Sequence, residues 1–62
     1  MEGEEMRAIR KAQRMTRKDF AQALGWSVPA IAKWEQGDRK IKPGIAKAVR
    51  LTFPEGEIHG IL

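Results

Sequence analysis

Apolar residues along this chain recur at helical spacing. Phe20, Ala21 and Leu24 fall on one face of a 3.6-residue repeat, and Ile31 and Trp34 fall on one face of the next. Further on, Ile45, Ala48, Val49, Thr52 and Phe53 form a third stripe, with Lys47 and Arg50 directed away from it. The pattern predicts four helices, over about residues 4–13, 17–24, 28–36 and 43–53. Pro54 and Gly56 then close the last helix and leave a short tail that carries Ile58, Ile61 and Leu62.

Local chemistry marks the ends of the middle helices. Thr16 and Ser27 are N-cap residues whose hydroxyls can accept from orphan first-turn N–H groups, and Asp19 completes a capping box with Thr16. Met15/Phe20 and Trp26/Ile31 stand at the two positions of a hydrophobic staple. Gly25 supplies the left-handed residue that stops the first of these helices. Pro43 suits the first turn of the last one. The segment 16–37 thus reads as two short helices joined by a tight turn, a helix-turn-helix.

These residues resemble the lambda-repressor-like, Cro/repressor (XRE-type) helix-turn-helix family. The resemblance rests on the small Ala21, the turn glycine Gly25, the apolar Ile31 and Trp34, and Trp34-Glu35-x-Gly37 at the end of the second helix of the pair. Upstream, Met6, Ile9 and Arg10 match the family's first helix. The resemblance implies an all-α, compact four- to five-helix domain whose third helix enters the major groove of double-stranded DNA. It also implies that Arg10 and Glu35 pair between the first and third helices. Two residues depart from the family pattern: Arg14 stands where a glycine is common, at a cost of about 1 kcal/mol if it is left-handed, and Arg17 replaces a common glutamine.

Charge is consistent with a nucleic-acid partner. The net charge is +4, yet five of the eight acids lie near the ends. Between Met6 and Thr52 all twelve Lys and Arg face three acids, Asp19, Glu35 and Asp38. So basic a body attracts polyanions, although a solvated charged surface accounts for the same residues. Glu2, Glu4 and Glu5 suit the positive end of the first helix dipole. Turn chemistry explains Asp38.

The 62 residues leave room for one domain, 1–62, in which the tail 54–62 is a candidate for dimerisation. With no cysteine there is no disulfide or thiolate site. Neither an apolar run of about 18 residues nor a signal-peptide pattern is present, and a soluble cytoplasmic protein is expected. His59, the one histidine, has no metal or triad spacing around it, so no enzyme, metal or cofactor is expected.

Under the resemblance, the base-reading positions are Val28, Pro29, Ala30 and Lys33. Val28 and Ala30 can meet thymine methyls, while Lys33 can donate to guanine O6/N7. Helix-start packing is the alternative for Val28 and Pro29, and a phosphate contact is the alternative for Lys33. Candidate phosphate contacts are Thr16, Arg17, Ser27, Gln36, Arg39, Lys40 and Lys42. Trp26 and Trp34 are assigned to the core. Leu51, on the shoulder of the last apolar stripe, could form a homodimer surface with Ile58, Ile61 and Leu62; packing of the tail onto its own core is the alternative.

The leading reading is a small sequence-specific transcriptional regulator, a Cro-like repressor that binds a pseudo-palindromic operator as a dimer. A second reading is an antitoxin or adaptor that clamps a toxin or other protein partner and touches DNA for autoregulation. A third is nonspecific nucleoid binding, with equal affinity for any duplex.

Overall fold

The computed structural model of the protein describes residues 1–54. Among them are four helices: α1 (Gly3–Ala12), α2 (Arg17–Leu24), α3 (Val28–Gln36) and α4 (Pro43–Thr52). The ends of α2 and α3 coincide with those expected from the sequence, and those of α1 and α4 differ by one residue at most.

Short-range chemistry explains this agreement. Thr16 Oγ1 accepts the Asp19 N–H at 3.1 Å, and Asp19 Oδ2 accepts the Thr16 N–H at 3.3 Å. The two bonds satisfy a pair of donors that would otherwise lack an intrahelical partner. Ser27 Oγ accepts the Ala30 N–H at 3.3 Å. Pro29, the second residue of α3, has no N–H to satisfy, so its place in the first turn is cheap. Gly25 and Gly37 end α2 and α3 with φ of 75° and 84°. Past each, the next N–H closes the helix: Trp26 donates to Ala21 O, and Asp38 to Lys33 O, both at 2.9 Å. Arg14 is also left-handed, at φ 57°, in the turn between α1 and α2.

Packing runs from α1 to α3, from α3 to α2, and from α2 to α4. Phe20, Met6, Ile31 and Val49 are fully buried at its centre, joined by Ile9, Ala21, Trp34 and Phe53. Burial of each large apolar side chain contributes about 1.5–3 kcal/mol. The Phe20 and Phe53 rings stack with centroids 5.2 Å apart, fastening the end of α4 to α2. Trp26 and Trp34 meet edge to face at 4.9 Å, fastening the α2–α3 turn onto α3.

The last helix is rotated relative to its sequence expectation. Ala46, Val49 and Phe53 are buried, whereas Ile45 and Ala48 are half-buried and Thr52 is exposed, its hydroxyl donating to Ala48 O at 2.8 Å. Both sets of positions share Val49 and Phe53 at helical spacing, so periodicity alone locates the stripe only to within its own width; contact with α2 selects the flank. Arg50 Nη2 donates to Glu5 Oε2 at 3.1 Å in a pair that stays at the surface. Leu51 is carried to the outer face, 71% exposed, rather than onto the shoulder of the stripe.

One contact has no counterpart in the sequence reading. Gly3 lies so close to the end of α3 that a β-carbon there would collide with Trp34 O and approach Glu35 O to 2.7 Å. A glycine inside the first turn of α1 lets the two helix backbones touch.

Candidate nucleic-acid interface

Three residues, Gly25 to Ser27, separate α2 from α3. With a left-handed glycine, a capping serine and the Trp26 ring clamped on Trp34, this turn fixes the direction in which α3 leaves α2. The start of α3 consequently stands on the surface: Val28 is 40% exposed, and Pro29 and Lys33 are exposed. Ala30 is half-buried and packs partly against the core, so it offers less surface than its three neighbours.

At the other end of α3, Glu35 is enclosed. Its side chain is 1% exposed. Arg10 meets it with two bonds, Nε to Oε2 at 2.7 Å and Nη2 to Oε1 at 3.0 Å, the bidentate geometry that a guanidinium and a carboxylate favour. Arg10 Nη1 also donates to Met15 O at 2.9 Å, which ties the α1–α2 turn into the same cluster. A second guanidinium arrives from α2: Arg17 Nε donates to Glu35 Oε1 at 3.2 Å. The carboxylate in the last turn of the helix, where the dipole disfavours an anion, is thereby covered by two cations and presents no bare negative charge to a polyanion.

Arg17, a candidate phosphate contact, is thus also bonded to Glu35, which its sequence position does not indicate. Spacing within one helix cannot reveal a contact between residues 18 positions apart on different helices. The remaining positions expected to meet phosphate divide into two groups. Thr16 and Ser27 are exposed at the starts of α2 and α3 with their hydroxyls engaged as caps, while Gln36, Arg39, Lys40 and Lys42 are exposed along the end of α3 and the loop before α4. Leu51 stands outward on α4, and Ile58, His59, Ile61 and Leu62 lie outside the described residues.

Among the described residues no group of His, Cys, Asp and Glu is arranged to hold a metal ion, and no helix is long and apolar enough to cross a membrane. An exposed helix start, two capped helix N-termini and a loop with three cations all stand at the surface, and Glu35 is covered by two arginines. That combination can engage a polyanion with directional contacts.

Comparison with known proteins agrees with this geometry. A family model described as helix-turn-helix matches residues 6–53, from the first buried residue of α1 to the buried Phe53 that follows α4. No curated protein and no solved structure gives a significant match. The chain belongs to the XRE-type, lambda-repressor-like helix-turn-helix family of double-stranded-DNA-binding transcription regulators.

Proposed function

We propose that the protein is a sequence-specific repressor that binds a nearly palindromic operator as a homodimer. The observation that carries this reading is the exposed start of α3, where Val28, Pro29 and Lys33 stand clear of the core. In the complex, α3 lies in the major groove. Val28, Pro29, Ala30 and Lys33 meet base edges, and Thr16, Arg17, Ser27, Gln36, Arg39, Lys40 and Lys42 meet phosphates that set the register. Repression follows from occupying DNA that a promoter needs.

A dimer is favoured by information and by size. One recognition helix reads only a few base pairs, and two related by a two-fold axis double that number. The described chain extends 32 × 20 × 17 Å, dimensions at which two adjoining copies can set equivalent helices about one DNA turn, roughly 34 Å, apart. Leu51 is an apolar residue exposed on α4 and, with Ile58, Ile61 and Leu62 of the tail, forms the proposed dimer surface.

Selection of bound duplexes from a random pool at fixed salt tests the reading. A recovered motif with two inverted half-sites, bound far more tightly than competitor DNA, is the expected result; equal binding of all duplexes overturns it in favour of nonspecific binding. Light scattering on protein lacking residues 58–62 tests the interface, which is wrong in its tail portion if the dimer persists unchanged.

A further inference from the structure

Among the described residues two large apolar side chains are exposed, Leu51 on α4 and Val28 at the start of α3. The residues that follow Val28 in the first turn have no polar side chain. Pro29 beside it lacks even a backbone N–H, Ala30 carries only a methyl group, and the first turn of α3 contains no acid. The neighbouring hydroxyl, Ser27 Oγ, accepts the Ala30 N–H. Lys33 is one turn further along the helix.

At the major-groove edge, thymine and cytosine differ in two ways. Thymine carries the O4 acceptor and a C5 methyl, and cytosine carries the N4 amino donor with hydrogen at C5. Distinguishing acceptor from donor requires a polar side chain. A hydrocarbon surface distinguishes only the presence or absence of the methyl. Cytosine methylated at C5 has its methyl in the same place as thymine, so the two are equivalent to such a surface.

We infer that the first turn of α3, through Val28, recognises pyrimidine C5 methyl groups and therefore accepts 5-methylcytosine in place of thymine. This inference rests on the operator-binding reading above and names the chemical class of base that the apolar end of α3 takes. Burial of one methyl is worth a factor of about four in affinity, from roughly 0.8 kcal/mol per buried carbon. Methylation of cytosine within the target would accordingly change occupancy by the regulator, whereas a site read through polar side chains would respond to the change of base pair.

The preferred duplex from random-pool selection provides the test. It is remade at each thymidine in turn with deoxyuridine, which lacks only the methyl, with deoxycytidine, and with 5-methyldeoxycytidine, the last two paired with deoxyguanosine. Kd is measured at one salt concentration for the unaltered protein and for Val28→Ala, whose fold is checked by circular dichroism. At one or two positions per half-site, deoxyuridine and deoxycytidine should each weaken binding about fourfold, and 5-methyldeoxycytidine should return it to within twofold of thymidine. Val28→Ala should remove that difference at one position. Equal affinity for the thymidine and deoxyuridine duplexes, with preference over competitor DNA intact, overturns the methyl inference and leaves the operator reading standing. An undiminished methyl effect in Val28→Ala also overturns it, and recovery of no preferred duplex removes both.

Discussion

Arg17 Nε donates to Glu35 Oε1 across 3.2 Å, linking the first turn of α2 to the last turn of α3. The Arg17 side chain is 37% exposed while that of Glu35 is 1% exposed, so the bond holds one edge of a guanidinium inward and leaves the group at the surface. Glu35 thus orients a cation that our reading places on a phosphate. Arg17→Ala should weaken binding to all duplexes alike and reduce the slope of log K against log salt by about 0.9. Its effect on folding should stay within about 1 kcal/mol, because the pair is partly solvated. Salt titrations with preferred and competitor duplexes check this; a change in base preference would contradict it.

Removal of Arg10 should be far more severe. The Arg10–Glu35 pair is buried and bidentate, and truncating Arg10 leaves the enclosed carboxylate with only its single bond to the partly solvated Arg17. Arg10→Ala should cost about 3–5 kcal/mol, a large share of the stability of a domain this small. The Glu5–Arg50 pair has side chains 44% and 41% exposed, and Glu5→Ala should cost at most about 1 kcal/mol. Urea unfolding of the two variants side by side measures the contrast.

Lys33 is the polar member of the base-reading set and is exposed. Lys33→Ala should relax preference at one base pair by about 1–3 kcal/mol. Competition binding against duplexes changed singly at each half-site position reads this directly. Uniform loss of affinity would move Lys33 to the phosphate-contacting group.

Two glycines should respond in opposite directions. A β-carbon at Gly3 collides with the end of α3, so Gly3→Ala should destabilise by about 1–3 kcal/mol as α1 is pushed off its neighbour. Gly44, in the first turn of α4, has open space around it and an ordinary backbone. There the substitution should stabilise by about 0.5 kcal/mol, chiefly by restricting the unfolded chain. Thermal melts of both proteins, compared with the parent, give the signs.

Much of the fold was legible because its signals are local. The capping box of Thr16 and Asp19, the Ser27 cap and the Gly25 stop act within a few residues of chain, and each appears in the structure where the sequence placed it. The left-handed Arg14 is a different case, since the family resemblance and not a local signal drew attention to that position. The last helix was less legible, since Ala46 and Ala48 are both small and apolar and the stripe can be centred to either side of Val49. Gly3 carried no signal in the sequence, because the first helix is expected from about residue 4 and only the structure extends α1 to Gly3 and sets it against the end of α3.

Sequence therefore determined the helices, the turn between α2 and α3, and the family to which they belong, because hydrogen-bonded caps and apolar periodicity operate over one or two helical turns. Tertiary structure decided which flank of α4 is buried, why Gly3 carries no side chain, and that Glu35 binds two arginines. Each of those outcomes depends on surfaces brought together from distant parts of the chain, where packing and charge complementarity choose among orientations that local chemistry leaves equal.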